Sequence, residues 1–594
     1  MRHPLTAATI ILCSPLIKAD ARAATIFVNA SLTTGAANGT SWADAYRGRL
    51  GLKLALAAAQ PGDELWVAQG TYAPAAANGP ITDAFNLSPG LTLLGGFVGT
   101  ESAASQRNPA ANTTILTGDL NANGSPGADN TFHVAIIPDA PGTLILDGFT
   151  ITGGFAGFRA GGAAPDIFSG AGLLILGGTN VIQNCRFLTN HSAASGGGIA
   201  VLAGSTTIES CAFSQNMAEN GTGIANLGSS STTVRACTFT DSGFPNGSTR
   251  GVGISSGRDL NGGPQPSTLV VENCLFSIQA APFLAMDGVG IFVGGGTADI
   301  RACRFINCTS GGSGGGVSAS DSTVRIDRCR FIGNEGRGDG GAAIYSFQSA
   351  AITVTNSIFA GNDREGFSTI HVQGGSSITL ANCTIFDNGT TTAFHRAFLI
   401  GMNATASVRN AIMRANKTSG QLAAATAILF GGGTISFDSC CIDGWSNQFP
   451  GVLTFAADPQ FINPAGPDGL TGTADDDLRL VSASPCIDRG NNAFLPAGLT
   501  LDISNSPRFR DIASVPDLGP GPAPVIDLGA HETAPTCPAD FNGDGAVNTS
   551  DLTFLLGLFG QPLPPFAPGD TNGDGAINTI DLTSLLGAFG SPCP

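Results

Sequence analysis

The chain has 594 residues, of which 42% are hydrophobic and 12% charged, and its formal net charge is −17. That hydrophobic fraction excludes a disordered chain, and the length allows one large core with a small second domain. The acidic balance leaves no basic patch to neutralise phosphates, which excludes nucleic acid as a partner. The negative net charge also disfavours a polyanionic glycan as a ligand, unless a cation bridges the glycan and the protein.

Residues 1–23 have the composition of a secretory signal peptide. Arg2 and His3 give a basic start, an apolar stretch runs from Thr6 to Leu16, and Ala21 to Ala23 offer a small-residue cleavage site. The apolar stretch is well short of the ~20 residues of a spanning helix, and no other segment of the sequence could span a bilayer. We therefore predict a secreted or cell-surface protein, without a membrane span, whose mature chain begins near Ala24.

Residues 24–72 predict an N-terminal helical cap between two strands, Thr25 to Asn29 and Glu64 to Val67. Ser41 is placed to N-cap the helix. Such a helix would cover the open end of a repeat stack, which otherwise exposes an edge for aggregation. Apolar residues at helical spacing fall on one face of it: Trp42, Tyr46, Leu50, Leu54 and Ala57.

A phrase of Cys, any residue, Phe and then Asn recurs through the centre of the chain, as in Cys185, Phe187 and Asn190. Successive Cys positions of this phrase are 26 to 37 residues apart, and a period of this length indicates stacked repeat units. Short stretches of alternating apolar residues indicate strands. Each unit is therefore one coil of a parallel β-helix, which we place at residues 24–457. The Cys phase falls at residues 185, 211, 237, 274, 303, 329, 357, 383, 411 and 440, with Ser357 and Ala411 in place of Cys.

Stacked coils lie ~4.8 Å apart, so residues at one phase of the repeat are expected to form ladders. The aromatic ladder buries apolar area that one coil alone could not. Asn tolerates a left-handed backbone at a turn, and its amide both donates and accepts hydrogen bonds. The predicted aromatic ladder is Phe187, Phe213, Phe239, Phe276, Phe305, Phe331 and Phe359, and the polar ladder is Asn190, Asn216, Ser242, Gln279, Cys308, Asn334, Asn362, Asn388 and Asn416.

This pattern resembles the right-handed parallel β-helix proteins of the pectate-lyase-like superfamily, including their asparagine ladder. Within them it is most similar to the secreted surface and polymorphic-outer-membrane-like branch. The resemblance covers roughly residues 24–532 and implies an all-β solenoid. Lyases of this fold place calcium-binding carboxylates on adjacent coils beside an Arg or Lys base, and the related hydrolases pair two Asp residues. We find neither the lyase residues nor the hydrolase residues in this sequence, so the catalytic residues stay unknown.

Candidate polar groups on the coils do not form a catalytic pattern. Asp321 and Asp327 stand on one coil without an acidic partner at the same phase of the next, and a hydrolase needs such a pair. Arg186, Arg304 and Arg330 each follow the Cys and point outward, either as a solvated face, which we favour, or as a weak basic stripe for a glycan. The histidines share no repeat phase: His133, His191, His371 and His395.

From Asp458 the repeat stops, and residues 458–532 are interpreted as the C-terminal cap of the β-helix. The segment is similar to the closing segment of the surface β-helices named above. Within it, Asp468 and Asp475 to Asp477 lie in a loop rich in Gly and Thr. This loop is either a calcium site or a plain acidic turn, and we favour the turn.

After a linker at residues 533–539, residues 540–594 contain a duplicated EF-hand-like oxygen-ligand loop. Each copy places Asp, Asn, Asp, a backbone carbonyl, Asn and Asp at loop positions 1, 3, 5, 7, 9 and 12, and Gly545 and Gly575 allow the sharp turn at position 6. We therefore predict two Ca²⁺ sites. Their ligands are Asp540, Asn542, Asp544, Ala546, Asn548 and Asp551 in the first copy, and Asp570, Asn572, Asp574, Ala576, Asn578 and Asp581 in the second.

Asp at position 12 and the following Leu-Leu-Gly-x-Phe-Gly helix resemble a type I dockerin, the calcium module that docks polysaccharide-degrading proteins onto cohesins. The resemblance implies a small α-helical domain and a cohesin-like partner. The Lys/Arg-rich helix of cellulosomal dockerins is absent, which puts cohesin recognition in doubt.

Cysteine usage adds one predicted bond. Cys537 and Cys593 flank the two loops, and secretion allows a disulfide between them. The eight ladder cysteines are interpreted as small buried residues, although vertical disulfides between coils stay possible.

The combined hypothesis is a protein that binds or scaffolds extracellular polysaccharide or cell-wall material and is attached to a partner through the calcium module. The alternative is a polysaccharide lyase or glycoside hydrolase, which rests on analogy of fold and module.

Overall fold

The computed structural model describes the chain from residue 23 to residue 590. Its gaps are 125–126, 158–167, 241–248, 259–262, 280–285, 339, 363–367, 390–395, 419–420, 423–426, 513–514, 534–538, 542–545, 562–568 and 572–575. Three long parallel sheets run along one solenoid, and each coil adds one strand to each sheet. The chain is a parallel β-helix, as the period of the repeat predicts.

Sheet A has fifteen strands in spatial order. They are Tyr46–Arg47, Thr25–Asn29, Glu64–Ala68, Thr92–Phe97, Thr143–Asp147, Thr179–Gln183, Ser205–Glu209, Ser231–Arg235, Thr268–Glu272, Thr297–Arg301, Thr323–Asp327, Ala351–Thr355, Ser377–Ala381, Thr405–Arg409 and Thr434–Asp438. Sheet B has thirteen: Gly70–Tyr72, Thr114–Thr117, Phe149–Thr152, Arg186–Leu188, Ala212–Ser214, Thr238–Thr240, Leu275–Ser277, Arg304–Ile306, Arg330–Ile332, Ile358–Ala360, Thr384–Phe386, Ile412–Arg414 and Cys441–Ile442.

Sheet C has twelve strands, and five two-stranded sheets complete the β-structure of the described residues. Sheet C comprises Phe85–Asn86, Ala135–Ile137, Leu173–Ile175, Ile199–Val201, Ile224–Leu227, Ile254–Arg258, Ile291–Val293, Val317–Ser320, Ile344–Phe347, Ser368–Val372, Arg396–Gly401 and Ala427–Phe430. The small sheets pair Phe155–Ala156 with His191–Ser192, Thr249–Arg250 with Met286–Asp287, Thr309–Ser310 with Glu335–Gly336, Lys417–Thr418 with Gln421–Leu422, and Phe461–Asn463 with Asp477–Leu480.

Helices are few in the described residues. The α-helices are Gly51–Ala58, Thr549–Leu558 and Thr579–Ala588, and the 3₁₀ turns are Ala104–Gln106 and Asn492–Phe494. Within the described part of the chain, no helix is both long and apolar enough to cross a membrane.

The aromatic ladder is confirmed. From Phe187 to Phe359, consecutive rings stack 4.7–5.1 Å apart, with their planes within 8° of parallel. Strand register places each Phe beside the next, as in the pairing of Phe305 with Phe331. The cysteine two residues earlier also faces inward, and all eleven described cysteines are buried and free, so the described ladder contains no vertical disulfide.

The asparagine ladder is confirmed at its ends. Asn334 donates to the carbonyl of Phe305 and to Oδ1 of Asn362, both at 2.9 Å, and Asn362 repeats this with Asn388. The left-handed backbone, however, lies one residue earlier than predicted, at positions such as Thr189 and Asp387. The preceding residue makes the turn, which leaves the ladder amide free to bond along the stack.

A second left-handed turn joins sheet A to sheet B in each repeat coil. The residue just before the Cys has φ near +50°, as at Asn184, Asn273 and Arg328. Non-glycine residues rarely adopt this conformation, and Asn tolerates it best. This single-residue turn brings the end of each sheet A strand next to the start of sheet B.

The N-terminal helix is shorter than predicted. It begins at Gly51 without a side-chain cap, because Ser41 lies in a turn bonded to Asp44 and Tyr46 belongs to a strand of sheet A. The predicted apolar face is also wrong: Leu54 is 55% exposed. Leu52 and Ala55 are the side chains of this helix that enter the core.

Residues 461–532, which belong to the segment interpreted as the C-terminal cap (458–532), pack along the side of the solenoid. Fully buried Arg508 donates to Asn356 at 3.0 Å, and Ala530 N–H donates to the hydroxyl of Thr384. The outer face of sheet B is apolar at these coils, with Ile332, Ile358 and Phe386 packed against Leu478, Ile503 and Ala530, so it needs this cover. Trp445 and Phe449 pack on Phe437 at the last coil.

We predict that Phe305→Ala destabilises the fold, because Phe305 is fully buried between Phe276 and Phe331, at 4.8 Å from each. Removing a buried ring costs ~3–5 kcal/mol. Urea unfolding measures this loss. Phe509→Ala is the matched control, because Phe509 is 44% exposed, and equal losses for the two variants would contradict the ladder.

Asn334→Ala is expected to cost ~1–3 kcal/mol, because it leaves buried backbone groups unpaired. Its amide donates to Phe305 and Asn362, and its Oδ1 accepts from Cys308 N–H at 3.0 Å. Chemical denaturation compares this variant with Asn463→Ala, whose side chain is exposed. A loss no larger than that of the control would show that the amide ladder does not stabilise the stack.

Candidate functional site

The C-terminal segment forms one wall of a cleft on the outer face of sheet A. The floor is made by the strands Thr297–Arg301, Thr323–Asp327 and Ala351–Thr355, and Pro496–Leu499 form the wall. The cleft, called here the sheet A cleft, has a volume of about 580 Å³. Strand alternation turns Ala298 and Ile300 into the core and leaves the charged residues between them outside.

Three arginines and two carboxylates line the sheet A cleft. Arg301 donates to Asp299 at 2.8 Å and lies 3.5 Å from Glu272. Arg325 lies beside Asp299 in the strand register and is exposed, yet it forms no ion pair with any described residue. Arg325 is therefore a cation in this cleft whose fork of N–H donors stays available to a ligand.

Asp327 is a structural residue. It is 8% exposed and accepts hydrogen bonds from the Thr355 hydroxyl at 2.7 Å, the Asn356 amide at 3.0 Å and Arg328 Nε at 2.8 Å. These three bonds hold the turn between sheets A and B. Both carboxylate oxygens of Asp327 are therefore occupied by donors of the fold and are not free to contact a substrate.

A second cleft lies on the outer face of sheet B. Arg304 and Arg330 occupy neighbouring strands in register and face the turn Ala474 to Asp476, around a volume of about 320 Å³. Burial and the charge of Arg304 lower the pKa of Arg330. We call this the sheet B cleft. Arg186 does not belong to it and lines a separate depression of about 600 Å³ near Arg107, so the three arginines form no continuous stripe.

The acidic turn that borders the sheet B cleft is held by its own hydrogen bonds. Asp476 accepts from the N–H of Gly472 at 2.7 Å, Asp475 from the Thr473 hydroxyl at 2.6 Å, and Asp477 pairs with Arg479 at 2.7 Å. Asp468 accepts from Leu470 N–H. Asp475 and Asp476 both accept from the Thr473 hydroxyl, but among the described residues no three carboxylates of this turn come within metal-binding distance of one another.

The described histidines do not form a site together. His133 is buried against the carbonyl of Gly170, and His191 packs edge-on against Phe155, where burial lowers its pKa. His371 packs beside Tyr345 in sheet C. His395 lies outside the described residues.

In the C-terminal module, each predicted calcium loop leads directly into a helix. Asn548 caps Thr549–Leu558, and Asn578 caps Thr579–Ala588. The two units are joined reciprocally: Gly560 N–H donates to Ile577 and Gly590 N–H to Val547, both at 2.8 Å. Their shared core consists of Ala539, Val547, Leu555, Ile577 and Leu585.

The described loop positions suit a hard cation. The fully buried carboxylate of Asp551 accepts from the N–H groups of Phe541 and Asn548, at 2.8 and 2.9 Å. Asp581 accepts from Thr571 and Asn578 in the same way. The carboxylate at position 12 thus accepts hydrogen bonds from the backbone N–H groups at positions 2 and 9 of its loop. The predicted ligands are all oxygen atoms, which calcium prefers.

Several predicted residues lie outside the described part of the chain: Asn542, Asp544, Asn572, Asp574, Cys537 and Cys593. The calcium loops and the disulfide therefore stay predictions. The two clefts were missed by sequence reasoning, because their walls come from residues more than 100 positions away from their floors, as in the hydrogen bond of Arg328 to Asn505. No local pattern carries that signal.

The family described as right-handed β-helix region matches residues 166–288 and 287–463, which together span just over half of the chain. No curated protein matches the chain.

Solved structures similar to this chain include a pectate lyase with 15% identity and a TM-score of 0.37, covering 86% of this chain and 97% of that one. A rhamnogalacturonan lyase has 12% identity and a TM-score of 0.32, covering 77% and 97%. A tailspike protein of E. coli bacteriophage HK620, solved with a pentasaccharide, has 12% identity and a TM-score of 0.23, covering 73% and 70%. At these scores none of them carries an argument about what this chain binds.

Proposed function

Because the chain belongs to the right-handed β-helix family, we propose that it is a secreted or cell-surface protein that binds or scaffolds extracellular polysaccharide on the outer faces of its coils. The observation that carries the proposal is Arg325, a cation without an ion-pair partner among the described residues, on the floor of an open cleft of about 580 Å³. Guanidinium groups recognise carboxylates bidentately and also donate hydrogen bonds to hydroxyls.

The charge around the two clefts sets the class of glycan. The sheet A cleft holds Arg301, Arg325 and Arg328 against Asp299 and Asp327, and the sheet B cleft holds two arginines against two carboxylates. Mixed charges of this kind suit hydroxyl-rich chains with few acidic groups. A polyanion would meet the net charge of −17 of the whole chain.

The C-terminal module would attach the β-helix to a partner, which the dockerin resemblance suggests is a cohesin-like protein. Asp540, Ala546, Asn548 and Asp551, with their counterparts in the second copy, would hold calcium together with the loop residues between them. Bound calcium would neutralise the carboxylates of each loop and fix its helix.

The alternative of a polysaccharide lyase or glycoside hydrolase has weaker support. Asp299 is engaged by Arg301 and Asp327 by three hydrogen bonds, so neither is a free acid or base. Hydrolysis needs two carboxylates that act as a pair. Reducing-end and unsaturated-uronate assays on the same polysaccharide panel decide this: product formation that Arg325→Ala abolishes would replace the binding function with catalysis.

For the sheet A cleft, we predict that Arg325→Ala weakens binding to a responsive polysaccharide about tenfold. A hydrogen bond to a charged group contributes ~1.5–3 kcal/mol, and ~1.4 kcal/mol is a factor of ten. Affinity electrophoresis over a panel of plant and bacterial polysaccharides measures the change.

The matched control is Arg235→Ala, which removes an exposed arginine of the same sheet that is already paired with Glu272 at 2.8 Å. Equal retention of Arg325→Ala, Arg235→Ala and the unmodified chain would place glycan binding elsewhere. The absence of any bound polysaccharide would remove the proposed function.

For the module, we expect Asp551→Ala with Asp581→Ala to remove two calcium ions from the intact chain, because each substitution deletes the carboxylate that closes one loop. Calorimetric titration with calcium chloride counts the ions. Unchanged stoichiometry in the double variant would contradict the calcium loops, and free thiols at Cys537 and Cys593 in peptide mapping would contradict the disulfide.

A further inference from the structure

Three carboxylates meet in the C-terminal segment, outside the duplicated loops. One carboxylate oxygen from each of Asp488, Asp511 and Asp517 lies within 4.8 Å of the other two. Asp488 is 1% exposed, whereas Asp511 and Asp517 are at the surface. The cluster therefore has a buried floor and an open side.

Asp488 lacks the partners that a buried carboxylate requires. Neither of its side-chain oxygens, both sealed from solvent, has a hydrogen-bond partner among the described residues. Buried carboxylates elsewhere in this chain are served, as Asp327 is by three donors. An ionised carboxylate without hydrogen bonds or a counter-charge is among the most costly groups to bury.

The backbone around Asp488 fixes this carboxylate in place. Its N–H donates to Asp527 Oδ1 at 2.9 Å, and its carbonyl accepts from the N–H groups of Leu518 and Gly519 at 2.9 and 3.0 Å. Asp517 is held in turn, because its Oδ1 accepts from Val525 N–H at 3.0 Å. The two side chains are thus positioned before any ligand arrives.

No cation from the chain balances the cluster. Among the described residues, no lysine, arginine or histidine forms an ion pair with any of the three carboxylates. Burial and the negative charges of Asp527, Asp517 and Asp511 raise the pKa of Asp488 to about 7. Negative charge is concentrated at a place where the fold supplies hydrogen bonds to the backbone but none to the buried oxygens.

We propose that Asp488, Asp511 and Asp517 form a calcium site that links two parts of the C-terminal segment, one around Asp488 and the other around Asp511 and Asp517. Calcium takes oxygen ligands at 2.3–2.6 Å, so two oxygens bound to one ion are at most ~5 Å apart, and the cluster meets that limit. The surface carboxylates leave the open side to water, which completes the six to eight ligands that calcium takes.

The site has a structural consequence for the sheet A cleft. Asp488 lies eight residues before Pro496, where the wall of the cleft begins, and Asp511 and Asp517 follow that wall in the chain. Bound calcium would join the two ends of the segment that carries the wall. A ligand that binds only the folded state stabilises that state, so bound calcium would increase the stability of the segment.

The test counts calcium ions on the full chain carrying Asp551→Ala and Asp581→Ala, which silences the duplicated loops. Bound calcium is first stripped with a chelator, and the chelator is then removed. Calorimetric titration with calcium chloride is expected to show that this chain binds one calcium ion. Asp511→Asn and Asp517→Asn, both at exposed positions, are each expected to abolish it. Asp468→Asn, in the separate acidic turn, is the matched control and is expected to leave it unchanged.

If the silenced chain binds no calcium, or if Asp511→Asn binds as the control does, the site is overturned. The outcome is independent of the module. Failure of the duplicated loops would appear as equal calcium stoichiometry in the unmodified chain and in the Asp551→Ala, Asp581→Ala chain. Failure of this site would appear as no calcium on the Asp551→Ala, Asp581→Ala chain, or as unchanged calcium binding after Asp511→Asn or Asp517→Asn.

Thermal unfolding of Asp488→Asn in the same background separates a metal ligand from an ordinary buried polar residue. In chelator the variant is expected to unfold at the parent temperature or above it, because it removes an unpaired charge. In calcium chloride the parent gains stability and the variant does not. A loss of equal size in both conditions would show that Asp488 acts through packing alone and would overturn the proposal.

Discussion

The in-register stacking of parallel coils is the constraint on which the structure depends. A coil of this length has too few apolar residues to enclose a core, so its stability comes from neighbours that repeat the same residue at the same place. The rings from Phe187 to Phe359 and the amides from Asn334 to Asn416 are two expressions of that rule. One ladder buries apolar area and the other satisfies buried polar groups.

Stacking also determines which positions of each coil can differ and so contribute to a binding site. Inward positions are committed to the core, which leaves the outward positions of sheets A and B to differ from coil to coil. Where these positions are apolar, at Ile332, Ile358 and Phe386, the C-terminal segment covers them. Where they are charged, at Arg301, Arg325 and Arg304, the same segment stops short and forms a wall instead. The clefts therefore follow from the change of outward residues along the solenoid.

Sequence reasoning succeeds here where a signal repeats and fails where it does not. The ladders were predictable because seven copies of the Phe phase agree on one geometry. The helix near Ser41 was misplaced because one helical spacing is weak: Tyr46 pairs with Val28 in sheet A, and this contact overrides the local pattern. The packing of residues 461–532 along the side of the solenoid was not predictable, because contacts such as Arg508 with Asn356 join positions 152 residues apart. The left-handed position was off by one residue because Asn at a turn signals the turn without fixing which residue makes it.

The acidic residues of this chain divide into two groups by how their charge is met. Asp327, Asp476 and Asp477 accept hydrogen bonds from arginines, hydroxyls and backbone N–H groups, so their oxygens have partners within the fold. Neither side-chain oxygen of Asp488 has a hydrogen-bond partner among the described residues, and carboxylate oxygens of Asp511 and Asp517 lie within 4.8 Å of it. These three carboxylates repel one another when no cation is bound. Under the two proposals, calcium would act twice in one chain, once on the terminal module and once beside the wall of the sheet A cleft, and the proposed attachment and the proposed glycan binding would then both depend on calcium.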